Sequence, residues 1–250
     1  MAKIIAVANQ KGGVGKTTTA VNLAACLAAT KRRILLIDFD AQGNATMGVG
    51  VDKDSVEHST YEFLIDKEPL ASVVQILPNL GLHLLAANSD LTAAEVELRN
   101  RIVGELTLKN ALAPVLDDYD YIIIDCPPAL SMLTLNALAC ADGVLIPMQC
   151  EYYALEGLSD LNETIRQIKG AINAKLEILG IVRTMYDPRN TLATEVSDQL
   201  TQHFGSKLYH SIIPRNVRLA EAPCHGPPIL RYAPSSRGSQ AYLALAGELL

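Results

Sequence analysis

The sequence predicts an α/β fold, a single mostly parallel twisted β-sheet flanked by α-helices on both faces, from three observations. Short continuous apolar runs recur along the chain, segments of helical composition alternate with them, and the 250 residues are 49% hydrophobic, enough to bury both faces of one large sheet. The run Ile4 to Ala8 sits in a strand that begins at Lys3, and Lys16 to Ala29 follows as a helix. Ile34 to Ile37 is the second strand. Between Asp52 and Asn79 the pattern weakens to a short helix at Tyr61 to Ile65, and Leu82 to Ala86 is a shorter strand placed at an edge. Tyr121 to Ile124, Gly143 to Met148 and Leu176 to Val182 are the next strands, separated by helices at Met132 to Ala141 and Ala154 to Ala171. Helices at Leu192 to Phe204 and Ser239 to Leu250 complete the alternation. No repeat, low-complexity tract or Gly/Ser-rich linker interrupts it, so residues 1–250 are expected to form one domain.

Charge and cysteine usage narrow the class. The net charge is −6, yet between residues 183 and 237 seven basic side chains face four acidic ones, a locally basic stretch compatible with salt-sensitive nucleic-acid binding. Five cysteines (Cys26, Cys126, Cys140, Cys150, Cys224) form no C-x-x-C pair and fit reduced core thiols in a cytoplasmic protein. No charged-then-apolar leader precedes the first strand, and no apolar run reaches the ~18 residues of a membrane span. The histidines show no metal-ligand spacing.

Chemistry concentrates where strands end. Lys11-Gly12-Gly13-Val14-Gly15-Lys16-Thr17-Thr18, between the first strand and the first helix, reads as a phosphate cradle: the glycines let backbone N–H groups approach a polyphosphate, the helix end adds partial positive charge, and Lys16 neutralises the β and γ phosphates. Thr17 is placed to ligate Mg²⁺. The pattern departs from G-x-x-x-x-G-K-[ST], because Gln10 replaces the first glycine and Lys11 adds a second cation. The second strand ends in Asp38-Phe39-Asp40-Ala41-Gln42-Gly43-Asn44, with two carboxylates on one face of an extended segment. Asp40 is expected to orient the attacking water and Asp38 to support the metal shell. Asp125, in Asp125-Cys126-Pro127-Pro128, takes the usual position of a Mg²⁺ partner in phosphoryl transfer.

Together these three motifs resemble the ParA family of chromosome and plasmid partitioning ATPases, P-loop NTPases with a deviant Walker A motif. The likeness continues through Met185-Tyr186-Asp187 and Ile213-Pro214-Arg215-Asn216-Val217-Arg218, and so spans essentially the whole chain in the manner of the short, Soj-like branch. It implies a nucleotide-sandwich homodimer around ATP and Mg²⁺, with Lys11 reaching the partner's ATP and the lysines Lys11 and Lys16 both serving catalysis. It implies hydrolysis to ADP stimulated by a ParB-type partner, and base contacts from Pro214 and Asn216. Arg189 and Arg218 match positions at which Soj-like members hold DNA phosphates, with Arg215 nearby, so the grip is expected to be sequence-independent, on the nucleoid. No helix-turn-helix precedes Lys3, which argues against operator recognition.

Two other classes share the scaffold. A MinD-like membrane-positioning ATPase would end in a basic amphipathic helix, whereas Ala241 to Leu250 carries no Lys or Arg. An iron protein of the nitrogenase type needs paired cluster cysteines, a motif that Cys126 does not match.

Overall fold

The computed structural model describes residues 1–250. Strands β1 (Lys3–Val7), β2 (Ile34–Asp38), β3 (Gln75–Leu77), β4 (Leu82–Leu85), β5 (Tyr121–Asp125), β6 (Gly143–Gln149), β7 (Glu177–Tyr186) and β8 (Leu208–Pro214) form one sheet in the order β3-β4-β2-β5-β1-β6-β7-β8. Every neighbouring pair is parallel except β3 on β4. β1 lies between β5 and β6, so the crevice beyond its C-terminal end is where an open parallel sheet receives ligands.

Seven helices of nine or more residues cover the sheet: α1 (Lys16–Ala29), α2 (Leu91–Asn100), α3 (Met132–Cys140), α4 (Ala154–Ala171), α5 (Thr191–Phe204), α6 (Val217–His225) and α7 (Arg237–Leu249). Side chains alternate faces along a strand. Ile4 and Ala6 therefore join the core under α2, α3, α4 and α5, while Ile5 and Val7 join the one under α1, α6 and α7. Because both faces are covered, the central strands read as unbroken apolar runs, which is what made them visible in sequence.

Four differences from the sequence expectation have identifiable causes. β7 continues past Val182 because its polar residues find partners: the Arg183 guanidinium donates to Ser197 Oγ at 2.9 Å and to the Tyr209 carbonyl at 3.0 Å. β4 is not an edge strand, since the short antiparallel β3 lies outside it. The turn near Tyr61 is a single π-helical turn over Glu62–Asp66, anchored by the Glu62 carboxylate, which accepts the Ser59 backbone N–H at 2.6 Å. β8, α2 and α6 carry mixed polar and apolar residues and gave no continuous run.

α7 turns Tyr242, Leu245, Ala246 and Leu249 into the core, so its apolar side is occupied by the protein itself. Its Glu248 carboxylate accepts the backbone N–H groups of His210 (2.9 Å) and Ser211 (2.7 Å) on the outermost strand β8. No helix is long and apolar enough to cross a membrane.

Gly104 follows α2 in a tight turn where an added Cβ would lie 1.9 Å from the Leu98 carbonyl oxygen, an atom fixed by the helix. Gly104→Ala is expected to destabilise the fold by about 3 kcal/mol, read as a lower urea midpoint at unchanged slope.

Candidate functional site: a phosphate cradle at the sheet crevice

The phosphate loop joins β1 to α1 and is held by neighbours on both sides. Asn9 donates its amide to the Pro147 carbonyl at 2.8 Å and accepts the Lys11 backbone N–H at 3.0 Å, pinning the start of the loop to β6. The Thr184 hydroxyl of β7 donates to the Val14 carbonyl at 2.7 Å. Gly13 (φ 73°) and Gly15 (φ 88°) take left-handed backbone, which L side chains rarely adopt. At Gly12 and Gly13 a Cβ would meet no atom within 4 Å, because both face the open cradle.

Lys16, the first residue of α1, is buried, and its ammonium donates to the Lys11 carbonyl at 3.0 Å across the loop. Burial lowers its proton affinity, opposed by the nearby charges of Asp125, Cys126 and Asp40. Thr17 and Thr18 line the same cavity. Val14 does not: its side chain is buried beneath the loop, so its contribution comes from the backbone.

The two carboxylates after β2 part company. Asp38 is fully buried, and its oxygens accept the Thr46 backbone N–H and hydroxyl, both at 2.7 Å, and the Asp40 N–H at 3.2 Å. Burial pushes its pKa up to about 6. The chain turns directly after it, with Gly43 N–H donating to the Asp40 carbonyl at 2.9 Å, and this swings Asp40 into the cavity wall. Asp38 serves as a buried clamp on the Asp40–Thr46 loop, and both carboxylates lie close enough to Asp125 for their charges to raise its pKa.

Asp125 ends β5 in register with Asp38 on β2 and Val7 on β1. Both of its carboxylate oxygens are buried without a hydrogen-bond partner. Burial, reinforced by the charge of Asp38, raises its pKa well above the ordinary carboxylate range, while Lys16 and the nearby Thr17 hydroxyl, which is not within hydrogen-bonding geometry, partly oppose the rise. A buried carboxylate without a donor is normally completed by an ion or its water shell. The adjoining Cys126 is buried and its thiol is pushed up by the same desolvation, which makes it a core thiol rather than a nucleophile.

One cavity of about 540 Å³ connects these parts with the far wall. Gly12, Gly13, Gly15 and Lys16 line one end, and Pro214, Arg215 and Asn216 line the other. Asn216 caps α6 by accepting the Leu219 N–H at 3.3 Å through Oδ1, which leaves its amide NH₂ as a donor. Met185, at φ 48°, shapes the wall between them. Sequence reasoning missed Asn9, Thr46, Thr184, Met185 and Tyr242 at this site. Met185 was quoted only as part of the family likeness, and the other four belong to no motif and act through contacts distant in sequence, such as Asn9 with Pro147, Thr46 with Ala87, Thr184 with Val14 and Tyr242 with Thr19.

Lys11 stands outside the cavity, paired with the exposed Glu151 carboxylate. Arg189 and the cavity-lining Arg215 meet around Asp187, and Arg218 lies on α6. Arg189 makes a two-pronged pair with Asp187 (2.9 and 2.7 Å), holding that carboxyl down to about 2, with Arg215 adding to the effect. The Arg215 N–H donates to the Tyr186 carbonyl at 3.2 Å, joining the ends of β7 and β8, and Arg218 pairs with Glu221 at 2.9 Å one helical turn on.

The family model described as an AAA domain matches residues 2–178. The sporulation initiation inhibitor protein Soj of Bacillus subtilis is 51% identical over 249 residues, covering 100% of this chain and 98% of that protein. The chain belongs to the ParA/Soj family of partitioning ATPases. The chromosome partitioning protein ParA of Myxococcus xanthus is 50% identical over 99% of this ParA/Soj member and 88% of its own length. Among solved structures, cobyrinic acid a,c-diamide synthase of Mycobacterium smegmatis, with bound ADP and magnesium, superposes with a TM-score of 0.87 at 36% identity, over 100% of this chain and 94% of that one. The ParA/Soj relatives are thus considerably closer in sequence than this equally complete match in shape.

Proposed function

We propose that residues 1–250 act as one ATPase domain, a nucleotide-dependent switch that pairs with a second copy and grips DNA without sequence preference during chromosome or plasmid partitioning. The observation that carries this reading is the single cavity of about 540 Å³ with a glycine cradle and Lys16 at one end and Pro214 and Asn216 at the other, the right extent and polarity for ATP or ADP. The ADP- and magnesium-bound relative supports the choice of ligand.

The loop N–H groups and α1 N-terminus hold phosphate oxygens, and Lys16 offsets their charge. The orphaned Asp125 oxygens and the Thr17 hydroxyl fit Mg²⁺, directly or through its water shell, with Asp38 fixing the adjoining loop. When bound, the cation neutralises charge that develops on the phosphates. Asp40 accepts a hydrogen bond from, and so orients, the water that attacks the γ-phosphate. Asn216 directs its amide to the base, and Pro214 packs against it. Lys11, already at the surface, exchanges Glu151 for the phosphates of the partner's nucleotide, which adds a cation only where two copies meet. A ParB-type protein accelerates hydrolysis and resets the switch. The place of action is the cytoplasm, on the nucleoid.

Arg189, Arg215 and Arg218 supply the DNA contact, with phosphates displacing Asp187 and Glu221 from two of them. The test is a shift assay on unrelated duplexes: binding is expected with ATP and not with ADP or without nucleotide, and equal binding in all three states rejects the switch. Arg189→Ala and Arg218→Ala should each weaken binding to every duplex and reduce the slope of log affinity against log salt by about 1 per lost phosphate contact.

A further inference from the structure

We propose that Thr184 is a positioning residue for the polyphosphate, acting through the Val14–Gly15 peptide of the phosphate loop; this rests on the loop binding a nucleotide, as above. The argument begins with the peptide unit. It is planar and trans, so its C=O and N–H point in opposite directions. The Thr184 hydroxyl, on a side chain that is 2% exposed, holds the Val14 carbonyl at 2.7 Å on the β7 side of the loop. The Gly15 N–H of that same peptide is thereby turned away from β7.

Nothing within the loop enforces that orientation. Gly15 sits at φ 88° and Gly13 at φ 73°, and glycine crosses between backbone regions at little steric cost, so a peptide rotation here is cheap unless an outside group opposes it. On its other side Gly15 is already fixed, because its carbonyl accepts the Thr19 N–H at 2.9 Å and starts α1. The Thr184 bond fixes the remaining peptide. The methyl-bearing side of Thr184 lies 3.8 Å from where a Gly15 Cβ would stand, so the strand also supports the turn by contact. Asn9 restrains the loop start in the same manner from β6, but through the Lys11 N–H, four peptides earlier.

The test separates phosphate recognition from folding. Thr184→Val keeps shape and strand propensity and removes only the hydroxyl, while Thr184→Ser keeps the hydroxyl. ADP, ATPγS and adenosine are titrated calorimetrically into each variant and the unaltered protein. Thr184→Val is expected to weaken ADP and ATPγS by about tenfold, the worth of one buried hydrogen bond, with adenosine affinity unchanged and Thr184→Ser restoring ADP binding. A general loosening of the fold would weaken adenosine as well. In the unaltered protein the Gly15 amide resonance should move downfield on adding ADP and stay in place with adenosine, a measurement that needs no variant. Full ADP affinity in Thr184→Val, or a Gly15 resonance unmoved by bound ADP, overturns the proposal. An unaltered protein that binds neither ADP nor ATPγS overturns the ATPase reading instead.

Discussion

Replacing Lys16 with alanine is expected to lower ATP affinity by about 10²- to 10³-fold, whereas Lys11→Ala should leave it within about twofold and abolish ATP-dependent pairing. The contrast follows from where the two ammonium groups sit. Lys16 is buried beside Asp125 and Asp40 and closes the loop through the Lys11 carbonyl, so its loss strips the nearest cation from a site already crowded with carboxylates. Lys11 is exposed and bound to an exposed carboxylate, a pair that contributes only about 0–1 kcal/mol to stability. Calorimetry with ATPγS and light scattering with and without ATP read the two properties separately. A Lys11→Ala protein that still dimerises with ATP contradicts the cross-interface role.

Asp40→Ala should reduce phosphate release by about 10²- to 10⁴-fold while leaving nucleotide binding and pairing intact. Asp40 lines the cavity and its carboxylate accepts only the exposed Gln42 N–H at 3.0 Å, whereas the buried ties of the loop run through Asp38 and Thr46, so removing Asp40 spares most of the architecture. Sedimentation at saturating ATP is expected to show the variant accumulating as a dimer that retains duplex DNA. Were it monomeric there, the assignment of Asp40 to the water would be wrong.

Legibility in the sequence followed burial. Strands covered on both faces, such as Tyr121–Asp125, announce themselves because every position before the terminal aspartate is apolar or aromatic. α1 and α4 were placed to the residue, since the one begins at the glycine turn and the other alternates apolar and charged positions over 18 residues. β8 was invisible: as an outer strand it mixes His210 and Ser211 with Ile212 and Ile213. The phosphate loop and the strand-end aspartates were legible because phosphate chemistry demands particular residues at short spacing. Thr184 was not, since its role depends on β7 lying 170 residues away in sequence from Val14. Asp38 and Asp40 were read as a pair of strand-end acids, and their two-residue spacing gave no sign that Asp38 is closed off behind Thr46 while Asp40 lines the cavity.

The Glu248 carboxylate on β8 bears on how copies gather. An outer strand with free N–H groups is a template on which another chain can add, and additions of that kind, once zipped along a backbone, release slowly. Here two of those groups are already engaged by a carboxylate of the same chain, and the opposite border is the three-residue β3. Copies brought close together therefore meet at borders poorly suited to lasting adhesion. Under the pairing proposed above, contacts between copies fall to side chains such as Lys11, whose exposed alternative partner Glu151 favours reversible assembly.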